Sequence, residues 1–161
     1  MQVFKFGGAS IGTIDRIENV ISITRNESDR PLLLVVSAMG KTTNALEKVA
    51  EAFFDRRIDD ALQLFDRIKH QHINSAKYLL VKEHHAFSAA FNDVCTEAEW
   101  LLHDRPVHSF DYYYDQIVCL GEMFSTILLT HAFREKGVQV HWVDVRDLLR
   151  TDNNFRDAGI L

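Results

Sequence analysis

Lys5 stands two residues before a glycine pair in the run Val3-Phe4-Lys5-Phe6-Gly7-Gly8-Ala9-Ser10. A cation followed by residues without a Cβ favours anion binding, because the N–H groups of such a turn can come close to a polyphosphate. A helix starting just beyond would add partial positive charge at the same spot. A lone glycine pair after a strand also fits an ordinary tight turn with Lys5 in solvent, so these residues alone leave both readings open. The second group with chemical potential is Gly121-Glu122, inside a helical pattern. Glycine there costs about 1 kcal/mol. It marks either a junction of two helices with Glu122 solvated in a new first turn, or a carboxylate placed to meet a cationic substrate group.

Other patterns carry less. Gly40-Lys41-Thr42 looks like the end of a Walker loop, but the position that should hold its first glycine is Val35, inside a strand. No Gly-x-Ser-x-Gly elbow occurs, and His70/His72 and His84/His85 are not spaced to share one helical face, so no metal site is expected. Tyr112-Tyr113-Tyr114 and Trp142 read as packing residues. A formal net charge of −5 with no Lys/Arg run argues against a nucleic-acid surface. Cys95 and Cys119 form no CxxC pair and read as reduced thiols. No leader pattern is present and no apolar run approaches membrane-spanning length, so the expectation is a soluble cytoplasmic protein without membrane contact.

These residues need elements to hold them. With 161 residues, 47% of them hydrophobic, the chain can bury a substantial core in one domain. Residues 2–6 alternate as a short strand, and Ile14, Ile17, Val20 and Ile21 follow at helical spacing, with Ser10 or Thr13 as cap. A polar stretch closed by Arg30-Pro31 leads to Leu32–Val36, an apolar run expected to be a strand buried on both faces. Strand, helix, strand makes a parallel βαβ unit, so the loops after Phe6 and Val36 should meet at one sheet edge. Asn44 and Glu47 are spaced as a capping box for the next helix, whose apolar face carries Leu46, Val49, Ala50, Phe53 and Phe54. Two more helices are expected, through Ile58, Leu62, Phe65 and Ile68 as far as Leu79, and through Phe87, Phe91, Val94, Ala98 and Leu101. Arg105-Pro106 breaks this block, and a further helical pattern runs from Ile117 to a C-terminal cap at Gly137. Val138–Val143 is expected as a third strand, with Asp144 capping a helical turn.

Read together, Lys5-Phe6-Gly7-Gly8-Ala9-Ser10, Val35 to Asn44, Gly121-Glu122 and Trp142-Val143-Asp144-Val145-Arg146 resemble aspartate kinase, of the amino acid kinase superfamily. The resemblance implies an α/β fold with an amino acid kinase-like (carbamate kinase-like) parallel sheet core, helices on both faces and an inserted helical block at 57–104. It implies transfer of the γ-phosphoryl of ATP, accompanied by Mg2+, to the side-chain carboxylate of L-aspartate, the first step toward lysine, threonine and methionine. A sibling acyl-phosphate amino acid kinase, or a fragment that only binds ligand, is the alternative. Carried over position by position, Lys5 is the catalytic cation. Gly7, Gly8 and Ser10 join it on the ATP phosphates, and Ser37, Thr43 and Glu122 hold aspartate. Position 9 is Ala where the family usually has Thr. The resemblance further implies that residues 1–161 are the amino-terminal part of the kinase domain, truncated before its second half and before the ACT regulatory domains. A fragment of that kind is expected to be inactive alone and to form homo-oligomers through its uncovered sheet.

Overall fold

The computed structural model describes residues 1–25 and 31–161. Strand β1 (Gln2–Phe6) enters a 3-10 turn at Gly8–Ile11, and α1 (Ile14–Arg25) returns the chain to β2 (Leu32–Val36). β1 and β2 pair in parallel with Gln2 opposite Leu32 and Phe6 opposite Val36. Thr13, not Ser10, caps α1, its Oγ1 accepting from Arg16 N at 3.4 Å. Arg30, at the close of the polar stretch, lies outside the described residues.

Five helices follow: α2 (Thr42–Phe54), α3 (Ile58–Leu79), α4 (His84–His103), α5 (Phe110–Val118) and α6 (Leu120–Glu135). α2 packs on α3 and α5, and α6 lies against α3, α4 and β2. Their apolar spacing converges on Leu46, Phe53, Phe65, Phe87, Phe91, Phe124 and Leu128, all with at most 1% of their surface exposed. Burial on that scale is the main driving force for the fold, at roughly 1.5–3 kcal/mol for each large side chain. Two carboxylates finish the block. Glu135 Oε2 accepts the N–H groups of Val81, Lys82 and Glu83 at the turn into α4, and Glu83 pairs with His131 Nδ1 at 2.9 Å. The hydrogen bonds from the Glu83, Val81 and Lys82 backbone draw the Glu135 carboxyl below its usual range. By length and composition alone, Phe110–Glu135 could cross a membrane, yet 72% of its most apolar window is buried in this core.

The α/β class expected from the sequence is present, with three local differences. Leu32–Val36 is not covered on both faces. Leu32, Leu34 and Val36 turn toward the helices while Leu33 and Val35, with Val3 of β1, are exposed. Val138–Val143 forms no strand among the described residues. The segment is tied to α6 by side chains instead, through Arg134 Nη2 to Val140 O at 3.2 Å and Trp142 Nε1 to Thr126 Oγ1 at 2.9 Å. A groove lined by Leu32, Leu34, Val36, Leu129 and Phe133 separates it from β2, so its backbone has no ladder to join. The capping box does not form either. α2 begins earlier, with Lys41 at its N-cap, and Glu47 accepts from Tyr114 OH at 2.6 Å. Downstream, Asp144 does cap the turn at Val145–Asp147, accepting from Arg146 N at 2.9 Å.

His72 lies fully buried between α3 and its neighbours, stacked on Phe91 and tilted against Phe124. Its Nδ1 donates to Ile68 O at 2.9 Å, and its Nε2 has no partner among the described residues. Burial lowers the pKa of this imidazole, so the unfolded chain takes up its proton at higher pH than the folded one. The stability it contributes is complete above about pH 6.5, the unfolded value, and is lost as pH falls toward the folded value. The expected result is a melting midpoint that drops on acidification below about pH 6.5, with a slope of up to about 1.4 kcal/mol per pH unit from this group. His72→Leu should flatten that slope in parallel pH-melting series. Superimposable slopes would show that His72 is not the group responsible.

Candidate functional site

The loops after β1 and β2 interlock. Ser37 N donates to Phe6 O at 3.1 Å and Gly40 N donates to Gly8 O at 3.1 Å. Gly8 has no room for a side chain, since a Cβ there would overlap the carbonyl oxygen of Ala38. Gly40 adopts φ +59, a conformation open to glycine, and a Cβ on Gly12 would come within 3.5 Å of its Cα. Parallel pairing and three small residues therefore bring the two loops to the same sheet edge, as the sequence requires.

On the first loop, the N–H groups of Gly7, Gly8 and Ala9 donate to no acceptor among the described residues, while Ser10 N closes the turn onto Gly7 O at 2.8 Å. A Cβ built on Gly7 would lie 3.5 Å from Lys5 Nζ, so the ammonium sits over that glycine. Lys5 is exposed and forms no ion pair among the described residues. Three adjacent free donors beside an unpaired ammonium make a surface complementary to phosphate oxygens. Ser10 is exposed on the 3-10 turn. Arg16 Nη1 braces the same turn by donating to Ala9 O at 2.5 Å.

The second loop is held from α6. Glu122 Oε1 accepts from Ala38 N at 3.2 Å, and Ser125 Oγ accepts from Met39 N at 2.7 Å. Glu122 is half-buried in the first turn of α6, where Cys119 separates that helix from α5. A junction of two helices is thus present, but Glu122 is half-buried and bonded to the loop, not solvated, and the junction does not account for Gly121. A Cβ on Gly121 would meet Ala38 Cβ at 2.8 Å, so glycine is required for α6 to reach the loop. Ser37 directly follows β2, and Thr43 is half-buried in the first turn of α2, whose Thr42 is anchored to Met39 O by its Oγ1 at 2.6 Å. Gly7, Gly8, Ser37 and Glu122 are joined through the interlocked loops, Ser10 closes onto Gly7 O and Lys5 Nζ lies over Gly7, whereas Thr43 sits beside them with no hydrogen bond to the others among the described residues.

Sequence reasoning missed Ser125, Gly12 and Gly40 as loop-fixing residues. A glycine four residues after Gly8 was the available signal for Gly12. Cys95 and Cys119 are both free thiols, and burial pushes Cys95 up to about 12, which makes it inert. Among the described residues, no group of three or more His, Cys, Asp or Glu is arranged to hold a metal ion.

A parallel strand pair with interlocked glycine loops at one edge, buttressed by a long buried helix, defines an α/β domain. The chain belongs to the amino acid kinase family, whose model matches residues 1–159. It is 30% identical over 150 residues to the chloroplastic bifunctional aspartokinase/homoserine dehydrogenase 1 of Zea mays, covering 91% of this chain and 16% of that one. It is 28% identical over 156 residues to the lysine-sensitive aspartokinase 3 of Escherichia coli (strain K12), covering 97% and 33%. The fold is similar to that of E. coli aspartokinase III in complex with lysine and aspartate, with a TM-score of 0.85, 25% identity and coverage of 99% and 35%. It also matches the same enzyme in complex with aspartate and ADP at a TM-score of 0.77. The chain therefore spans about a sixth to a third of the length of these relatives.

Proposed function

We propose that this chain carries the phosphate-facing and acceptor-facing residues of an aspartate kinase, a phosphotransferase that moves the γ-phosphoryl of Mg-ATP onto the side-chain carboxylate of L-aspartate to give 4-phospho-L-aspartate. The observation that carries the reading is the convergence of the two loops, which puts the free amides of Gly7, Gly8 and Ala9 and the Lys5 ammonium on one side and Ser37, Glu122 and the start of α2 on the other. The family match and the relatives named aspartokinase support it.

The chemistry suits these residues. A carboxylate with a pKa near about 4 is ionised at neutral pH, so the nucleophile needs no general base. The reaction needs two anions held in line and negative charge offset on the transferred phosphoryl oxygens. Lys5 supplies the charge, and the amides of Gly7 and Gly8 with the Ser10 hydroxyl supply donors to the ATP phosphates. Mg2+ accompanying ATP would supply further positive charge against the phosphates. Glu122 has a second carboxylate oxygen with no partner among the described residues, and this meets the α-ammonium group of aspartate while Ser37 and Thr43 bind its carboxylates.

Calorimetry of the chain with Mg-ATP and with L-aspartate tests the reading, together with hydroxamate formation by a full-length kinase that contains it when hydroxylamine is added. Binding of both ligands is expected, with Glu122→Ala weakening aspartate about tenfold or more and leaving Mg-ATP within about twofold. Absence of binding to both would overturn the reading. A preference for L-glutamate over L-aspartate would reassign the chain to a sibling acyl-phosphate kinase.

A further inference from the structure

Ser125 is fully buried in the middle of α6 and touches neither loop by sequence proximity. Its hydroxyl donates to Gly121 O at 2.8 Å, one turn back, and accepts from Met39 N at 2.7 Å, 86 residues away in sequence. A helical serine commonly donates to the carbonyl four residues before it. Here that bond fixes the hydroxyl rotor so that a lone pair faces the Met39 amide. Neither alanine nor a purely accepting side chain can do both.

The neighbouring bond is of a different kind. Ala38 N is held by Glu122 Oε1, and Glu122 is half-buried and charged, so a ligand cation competes for the same carboxylate. The other amides of the loop are tied to backbone carbonyls, Ser37 N to Phe6 O and Gly40 N to Gly8 O. Thr42 Oγ1 holds the Met39 carbonyl, so on the amide side of this loop Ser125 is the one side-chain anchor, among the described residues, that no ligand at the surface can recruit.

We propose that Ser125 is a positioning residue of the acceptor side, which locks the Ala38-Met39 backbone so that Ser37 and Thr43 stay in place when Glu122 turns to the substrate ammonium. The inference rests on the acceptor role given above to Ser37, Thr43 and Glu122. Ser125 does not touch the reacting groups.

The test compares Ser125→Ala and Glu122→Gln with the unaltered chain, by calorimetry with L-aspartate and with Mg-ATP and by residue-resolved amide hydrogen exchange. Ser125→Ala should speed exchange of the Met39 amide by about tenfold or more, while the core amides of α3 and α4 keep their protection. It should weaken L-aspartate about tenfold and leave Mg-ATP within about twofold. Glu122→Gln should weaken L-aspartate with Met39 still protected, which separates holding the loop from holding the ligand. Unchanged Met39 exchange in Ser125→Ala would overturn the role of Ser125, whichever way binding falls. Equal losses for both ligands and for core amides would overturn it too, since that is a general loss of fold. No L-aspartate binding by the unaltered chain would instead overturn the acceptor reading on which the proposal rests.

Discussion

Gly8→Ala is expected to lower the melting midpoint of the chain by roughly 5–15 °C, whereas Gly7→Ala, one residue earlier, leaves it nearly unchanged. The added methyl at position 8 would overlap Ala38 O and come within 3.2 Å of Gly40 O, both backbone atoms that cannot swing aside. Relief requires the loops to separate, which also breaks the Gly40 N to Gly8 O bond. Overpacking of this kind costs about 1–3 kcal/mol, and the lost hydrogen bond adds about 1. For a chain of this size each kcal/mol is worth about 2–4 °C. At position 7 the methyl would find only Lys5 Nζ at 3.5 Å, the end of a flexible side chain, and the φ of −75 is open to alanine. Thermal melts of the two variants decide the matter. Equal midpoints would mean that the loops are not interlocked as described.

That contrast between adjacent glycines could not be read from the sequence, and the reason is general. Local signals were legible because they are repeated along the element that carries them. Phe87, Phe91, Val94 and Ala98 recur at three and four, and α4 follows; the alternation of residues 2–6 is that of β1. Gly137 was legible as a cap because a positive φ, here +77, is a single-residue demand. Features that depend on a distant partner were not. Val138–Val143 has the composition of a strand but pairs with none among the described residues, and propensity cannot supply a partner. Asn44 and Glu47 have capping-box spacing, but Thr42 bonds to Met39 O and starts the helix before them. Gly121 looked like a weak point in a helix. Only the approach of Ala38, from more than eighty residues away, explains why a side chain is excluded there. The candidate site is thus half legible. The residues offering charge or free amides stand out by type, and those that hold the loops, Gly12, Gly40 and Ser125, do not.

Lys5→Met is expected to weaken Mg-ATP binding by about 10- to 100-fold, the worth of one charge-assisted contact of about 1.5–3 kcal/mol, while the melting midpoint stays within about 1 °C. The two effects separate because Lys5 is exposed and pairs with no carboxylate among the described residues, so the fold loses nothing when the charge goes. Its ammonium sits over Gly7, beside amides with no acceptor, and methionine keeps the stem while removing the charge from that position. Where turnover is measured, the loss should be larger than in binding, about 100- to 1,000-fold, because charge on the phosphoryl oxygens redistributes as the bond to the leaving group lengthens. Lys5→Arg keeps the charge but replaces a compact ammonium with a planar fork, and it should fall between the two. A Lys5→Met variant that binds Mg-ATP as well as the unaltered chain would remove Lys5 from the phosphate site. The cradle would then consist of the Gly7, Gly8 and Ala9 amides alone, a weaker site that recognises an anion by geometry without offsetting its charge.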